Sequence, residues 1–410
     1  MNNRWVALLI IFLSFLQLTL NWFNIVPCFG QLIGDMHVTL PEIGSIVGMF
    51  ILGYGLAHIP GGFINGWLGM YKAMLLGIAL QTIGTLITAL APNVEVILFA
   101  RLLCGIGGSI YIGSAIGVVT AWFRDKELVT AVGMIAGVAF AFGAALGIFF
   151  WQDLVVSYGW RHALLSGAGI GLLSFLLILF AFPTPSTGAN DVADGHHLNL
   201  ESLKRVFGNR DLWLIGLCGL GGYGAYFTAI QMLPGYAHQH LGVSMAESAL
   251  IGTIISLSGI PASFLGGWLF DKVFGAIPTF LGACVVEGAA ILLVPYVGPI
   301  GIQVCAFFIG GATILWFVGW VSIPGLYESK IRIYDIPTAV GLILTISAVG
   351  GVGIPLLYGK IATQYGYTAA WLFMGISVFV TAIVALLVRS PARVAANNGQ
   401  PSHVVSLTEH

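Results

Sequence analysis

Charge is what this sequence has least of. Among 410 residues there are 15 Lys and Arg and 16 Asp and Glu, 8% of the chain, where a soluble domain carries roughly 25%. A chain so poor in charge cannot cover itself with groups that water solvates, so lipid must do the covering. The formal net charge of −1 leaves no basic field of the kind that nucleic acid needs. Cysteine is scarce too. Cys28, Cys104, Cys218, Cys284 and Cys305 fall in or beside apolar runs, without CxxC or metal-ligand spacing, so neither a disulfide framework nor a metal site is expected. The sequence has no GxxxxGK[ST] phosphate loop, no Ser/His/Asp arrangement and no selectivity-filter repeat. Enzyme, nucleotide-driven pump and channel therefore all fit poorly, and no cofactor is expected.

What is present is apolar sequence, 58% of the chain. A helix crossing about 30 Å of hydrocarbon needs about 20 mainly apolar residues. Twelve runs qualify: 5–26, 43–65, 72–91, 94–120, 128–151, 162–183, 211–233, 247–270, 277–297, 299–323, 337–360 and 368–388. The first lacks a small-x-small cleavage site, so it reads as a spanning helix and not a secretion signal. The fold class expected is an all-α membrane protein of twelve spans. Residues 1–183 form an N-terminal six-helix bundle, 184–210 a linker, 211–390 a C-terminal six-helix bundle and 391–410 a polar tail.

The cations orient this array. With the N-terminus inside, Arg4, Lys72, Arg124, Lys126, Lys204, Arg205, Arg210, Lys272, Lys330, Arg332, Arg389 and Arg393 are cytoplasmic, and only Arg161 and Lys360 fall outside. That asymmetry follows the positive-inside rule and predicts both termini in the cytoplasm, in a plasma (inner) membrane. The two halves also repeat. "GGFINGWLGMYKAMLLG" (61–77) pairs with "GGWLFDKVFGAIPTFLG" (266–282), and "YGWRHALL" (158–165) with "YGYTAAWL" (365–372), at offsets of 205 and 207 residues. A six-plus-six duplication is a transporter-like architecture.

These motifs carry a resemblance. Over nearly its full length the chain is similar to the major facilitator superfamily, whose signature loop reads Gly-x-Leu-Ala-Asp-Arg-x-Gly-Arg-Arg. Here Gly62, Ile64 and Gly69 match and Lys72 is slightly displaced, while Gly66 and Trp67 stand where Asp and Arg are usual. The second-half copy keeps Asp271 and Lys272. The resemblance implies a conformational latch at Gly62, Gly69, Asp271 and Lys272. "RLLCGIGG" is similar to the superfamily's Arg-x-x-x-Gly-x-Gly at Arg101, Gly105 and Gly107. "AWFRDKELVTAVG" resembles the loop of the organic-anion branches at Trp122, Phe123, Ala131 and Gly133, with Arg124 in place of Pro. It further implies a monomer that works by rocking two bundles around a midplane site.

The candidate site residues are polar groups inside spans. Arg101 lies about 10 Å into its helix, counting about 1.5 Å per residue. An intramembrane Arg usually faces a wet cavity or a partner. It is read as the cation for an anionic substrate or the neighbour of a proton carrier; the alternative is an arginine that bonds backbone carbonyls. Ser14, Gln17, Asn21, Asn24 and Cys28 share one face of the first helix. The carboxamides of Gln17, Asn21 and Asn24 are expected to line the central cavity, with interhelical bonding as the alternative. Tyr54 and His58 share a face of the second helix, and His58 stands where many superfamily members have Gln. Its imidazole suits substrate contact or proton coupling. Tyr223, Tyr226 and Gln231 on the seventh helix, and Trp316 and Trp320 on the tenth, are further cavity candidates. Glu287 is the one carboxylate deep within a span and can carry a proton, although the resemblance places the ninth helix outside the cavity. Lys360 is either a second anion-binding cation or a snorkelling end residue.

The expected function is secondary active transport of a small solute, an organic or inorganic anion, coupled to H⁺, Na⁺ or a counter-anion. The alternative is a proton-coupled efflux transporter for drugs or other neutral or cationic solutes, with Glu287 central. Membrane lipid is the only other partner expected.

Overall fold

Every described element of the computed structural model is helical; it describes residues 3–123, 131, 134–183, 200–323 and 336–389. In chain order these are α1 (Asn3–Phe23), α2 (Phe29–Met36), α3 (Leu40–Leu56), α4 (His58–Leu68), α5 (Met70–Leu90), α6 (Val94–Phe123), α7 (Phe140–Tyr158) and α8 (Trp160–Ala181). The short α9 (Leu200–Phe207) precedes α10 (Arg210–Leu241), α11 (Met245–Trp268), α12 (Ala276–Leu293), α13 (Pro299–Ser322), α14 (Ile336–Tyr365) and α15 (Tyr367–Ala382). Among the described residues eleven helices, or twelve when α3 and α4 count as one bent span, are long and apolar enough to cross a membrane. The protein is therefore an integral, multi-pass membrane protein, as the composition requires.

The 45° bend between α3 and α4 has a local cause. Pro60 cannot donate to the Leu56 carbonyl, and its ring crowds that oxygen, so the ladder breaks where α3 ends. The sequence expectation of one continuous second span holds with this kink added.

Within the first half, α5 packs on α6 and α8, α3 on α6, and α1 on α7 and α8. Within the second, α12 packs on α13 and α15, α10 on α14 and α15, and α11 on α13. The halves meet along α3 with α14 and α7 with α11. The α3–α14 contact is close because Gly44, Gly48 and Gly55 lie against Pro355, Val352 and Ala348; at Gly44 the Pro355 carbonyl fills the space a Cβ would take. Such small-residue faces let backbones approach in lipid, where no hydrophobic force drives helices together. Thr345 donates to the Gly55 carbonyl (2.9 Å) and Ser256 to that of Ala141 (2.9 Å), tying the same two seams.

The internal repeat runs deeper than the two sequence landmarks. Thr39 with Glu42 and Ser244 with Glu247 form capping boxes at the starts of α3 and α11, 205 residues apart. Just before them, His37 (φ 55°) and Gly242 (φ 68°) take the left-handed conformation that ends the preceding helices. Gly69 and Gly275 cap α5 and α12 at φ 77° and 76°, and Gly159 and Gly366 cap α8 and α15 at 81° and 86°. With ψ near ±150–180°, these four occupy a region essentially reserved for glycine.

Candidate functional site

Arg101 sits on α6, 2% exposed, with its guanidinium against the end of α1. It donates to the Trp22 carbonyl at 2.9 Å and to that of Asn21 at 3.5 Å. Those oxygens belong to the last turn of α1, where no following helical amide is available, and a cation at a helix C-terminus is favoured by the dipole as well. The charge also lies over the Phe50 ring, 4.7 Å from its centroid. Among the described residues no carboxylate is its partner, and its Nε is buried without any hydrogen-bond partner. The geometry in this conformation thus matches the carbonyl-bonding alternative and leaves one edge of the guanidinium unmet.

Around Arg101 lies an aromatic cluster built from both halves. Trp22 stacks on Phe50 (4.2 Å, 21°) and contacts Tyr54 (5.2 Å). On its other side it stacks on Phe227 of α10, 5.0 Å away and nearly parallel at 6°. Trp22 and Phe227 are 205 residues apart, the offset of the repeat, so the same position of each half meets its counterpart at the middle of the molecule. Tyr223 and Tyr226 flank Phe227 at 4.8 and 5.1 Å. His58 packs edge-on against Tyr54 (4.6 Å); its Nδ1 pairs with the Ser109 hydroxyl at 3.1 Å and its Nε2 is buried without a partner. Arg101, Tyr54, His58, Tyr223 and Tyr226 are therefore brought together, and Trp22, Phe50, Phe227 and Ser109 join them unforeseen.

The polar stripe of the first helix faces elsewhere, which corrects the expectation that it lines a cavity. Gln17 donates to the Gln81 carboxamide on α5 (3.1 Å), and Gln81 donates to the Leu18 carbonyl (2.6 Å). Asn21 donates to the Gly167 carbonyl on α8 (2.9 Å) and accepts from Asn24 (2.8 Å). These carboxamides fasten α1 to α5 and α8 inside the first half, where an unpaired amide would be costly.

Trp316 and Trp320 also depart from the cavity-wall expectation. They cross edge-on at 5.5 Å, both buried; the Trp320 indole donates to the Ile215 carbonyl (2.7 Å) and that of Trp316 to the Glu287 carboxylate (2.7 Å). Glu287 is fully buried among α10, α12 and α13, and its second oxygen has no partner. Lys360 is exposed near the end of α14, away from the cluster, so it is not a second cation beside Arg101. Gly62 is exposed and Gly69 caps α5. Asp271 and Lys272 fall in the π-helical turn Leu269–Val273, and their side chains lie outside the described set, as do residues Arg124 and Gly133. A cleft of about 350 Å³ lined by Arg205, Asn209, Arg210, Asp211 and Arg389 lies where α9 and α10 meet the segment after α15, and is not part of the Arg101 cluster.

Among the described residues no His, Cys, Asp and Glu group has the makings of a metal site.

With this geometry in place, the class is defined by comparison. The model of the Major Facilitator Superfamily matches residues 8–353, and the chain belongs to that family. The D-galactonate transporter of Escherichia coli is 22% identical, over 94% of this chain and 95% of its own. The chloroplastic ascorbate transporter of Arabidopsis thaliana is 23% identical over 66% of this chain, a match that spans about half (52%) of that relative's length. A probable multidrug-efflux transporter of Mycobacterium tuberculosis is 24% identical over 78% of this chain and 64% of its own. Among solved structures, a bacterial homologue of the human lysosomal transporter Spinster, inward-facing and occupied, superposes with a TM-score of 0.79 at 16% identity, covering 97% and 98% of the two chains. That likeness speaks for the fold alone.

Proposed function

We propose that this protein is a secondary transporter that carries a small anion by alternating access, with Arg101 as its cation. The observation that carries the reading is a buried guanidinium with no carboxylate partner and an unmet Nε, seated beside the Trp22–Phe227 stack where the halves meet. A cation in a span costs at least a few kcal/mol; an anionic substrate arriving there offsets that cost only while it is bound. Separation of Trp22 from Phe227 would open Arg101, Tyr54, His58, Tyr223 and Tyr226 to water from one side. The relatives named for D-galactonate and ascorbate, both organic anions, support the anionic class. The excess of cations on loops at one end supports cytoplasmic termini in a plasma membrane, and Asp271 with Lys272 are the proposed latch of the second half, opposite Gly62 and Gly69 of the first. The transporter works as a monomer in this reading.

The test is uptake into proteoliposomes of D-galactonate, ascorbate and inorganic phosphate, by wild type, Arg101→Lys and Arg101→Gln. Removing one partner of a desolvated charge pair costs about 2–5 kcal/mol, so uptake of the carried anion falls at least about thirtyfold in Arg101→Gln. Unchanged anion flux in that variant would sink the reading. The multidrug-efflux relative and the aromatic cluster favour a second reading, export of lipophilic cations. Protection of cells from such cations, with no anion flux, would select it.

A further inference from the structure

We infer that Glu287 is a proton-carrying site of the second half, joined to the contact between the halves through α10. The inference rests on the transport reading and adds its coupling ion. The first observation is placement. Glu287 is fully buried on α12; one carboxyl oxygen accepts from Trp316 Nε1 at 2.7 Å and the other has no partner. Glu287 lies against α10 at Gly222, where an added Cβ would stand 3.0 Å from the carboxylate oxygen that Trp316 holds. An unpaired carboxylate oxygen in an apolar wall is expensive, and a proton on that oxygen is the smallest occupant that removes the charge.

The second observation comes from the repeat. Gly69 and Gly275 start α5 and α12 with the same backbone, 206 residues apart, and that offset sets Glu287 opposite Gln81. In the first half the position is filled by a neutral carboxamide whose oxygen accepts from Gln17 and whose amide donates to the Leu18 carbonyl. The architecture is therefore satisfied by Gln at this place, and packing alone does not call for an ionisable group in the other copy. Among the described residues that face Glu287, the titratable ones are Tyr226 on α10, Cys284 on its own helix and, beyond it, Cys218 on α10; α13 contributes Trp316 and Thr313, and α15 contributes Phe379 beside Gly288. None of these carries a fixed charge that would hold the carboxyl in one state.

The link to transport runs along α10, from Gly222 beside Glu287 to Phe227. Phe227, which stacks on Trp22 of the other half, follows Tyr226 in α10. A proton arriving from one side forms the O–H bond at the unpaired oxygen of Glu287 and neutralises the carboxylate. Release to the other side breaks that bond, returns the proton to solution and restores the charge. Each change alters the charge held against α10, the helix that carries Phe227.

Two measurements test this. Infrared difference spectra of the purified protein in lipid, titrated from about pH 5 to about pH 9, need no substrate. A protonated-carboxyl band that titrates in wild type, vanishes in Glu287→Gln and moves its midpoint in Trp316→Phe is expected. A titrating band that survives in Glu287→Gln, or no titrating band in wild type, overturns the inference. In proteoliposomes, one pH unit drives about tenfold accumulation of a monovalent anion moved with one proton. D-galactonate is the probe; its accumulation should collapse to none in Glu287→Gln while gradient-free equilibration stays measurable. Full pH-driven accumulation in that variant overturns it. If wild type moves no anion, the transport reading fails and the infrared result alone decides the proton site. Because Gln81 shows that a carboxamide fits the matching position, Glu287→Gln is expected to keep the wild-type melting temperature.

Discussion

Truncating Phe227 to Ala asks whether the stack at the middle of the molecule sets its conformation. A buried aromatic ring removes about 150–250 Å² from water, about 4–6 kcal/mol at ~25 cal/mol per Å². Only the part given by the opposite half counts toward the closed state. Phe227 has Trp22 on one face at 5.0 Å, while Tyr223 and Tyr226 of its own helix stay with it in any state. Assigning Trp22 about half of the burial leaves about 2–3 kcal/mol, to which the parallel stack adds about 0.5–1.5 kcal/mol. Together these come to about 2.5–4.5 kcal/mol, and at 1.4 kcal/mol per factor of ten the truncation shifts the balance between closed and open forms by about 60-fold to 1,600-fold. A protein closed at this contact about 99 times in 100 then becomes close to evenly divided or mostly open. Pulsed electron spin resonance reads this directly, with spin labels on Ser157→Cys and Ala246→Cys, exposed ends of α7 and α11 on opposite halves. Phe227→Ala should add a longer distance population. Phe280→Ala is the control: its ring packs on Trp316 within one half (5.3 Å), so it should lower the melting temperature without a new distance. Identical distance distributions for wild type and Phe227→Ala would refute the idea that this stack holds the halves together.

Other outcomes follow from the same geometry. Gln81→Leu strands the Gln17 amide and the Leu18 carbonyl and should cost about 1–3 kcal/mol of stability, read as a fall in melting temperature. Gly366→Ala should cost about 1–3 kcal/mol although no atom lies within 4 Å of the added methyl, because the backbone at φ 86° suits glycine alone. Gly34→Ala, equally open and without a positive φ, should cost nothing measurable. Ser244→Ala removes the cap of α11 and should cost about 1 kcal/mol. Gly44→Val places a side chain against the Pro355 carbonyl and should raise the longer distance population between spin labels on α3 and α14.

The spans were legible because lipid imposes a length of apolar chain that few other environments require. Most spanning helices begin within a few residues of an expected run, while α7 begins at Phe140 for a run read from 128, α10 extends to Leu241 for one read to 233, and the short α2 and α9 lie outside every run. The repeat was legible from two glycine-bearing loops, since Gly159 and Gly366 hold a backbone that other residues resist. Direction was not legible. Spacing places Gln17, Asn21 and Asn24 on one face of α1, but it cannot say whether that face meets water or the neighbouring helices α5 and α8. Trp22 gave no signal of its own: spacing beside a polar stripe does not distinguish a packed indole from one at the contact between the halves. Setting the halves over one another at the 205-residue offset would have paired it with Phe227 from sequence alone. For Glu287, the superfamily resemblance places the ninth helix at the outside. In this structure α12 does pack against α13 and α15, yet the face bearing Glu287 turns inward to α10 and Trp316.

The two halves share a scaffold and differ in chemistry. Glycine turns, capping boxes and the central aromatic pair recur, because they answer to geometry that both copies need. The buried charged groups do not recur. Val94 and Pro299 begin α6 and α13 at an offset of 205, which sets Arg101 opposite Ala306, and Glu287 stands opposite Gln81. A permanent cation in the first half and a protonatable acid in the second divide the two charges of a proton–anion symporter between the bodies that would move. If that division is real, the variants act separately: Arg101→Gln abolishes anion exchange at any pH, and Glu287→Gln abolishes only accumulation driven by a pH gradient. Joined in one chain, they should lower exchange no further than Arg101→Gln alone, since an anion that is not bound has nothing to couple. A double variant in which Glu287→Gln restores exchange would instead mean that the two charges answer to each other directly, and that their separation between the halves is structural.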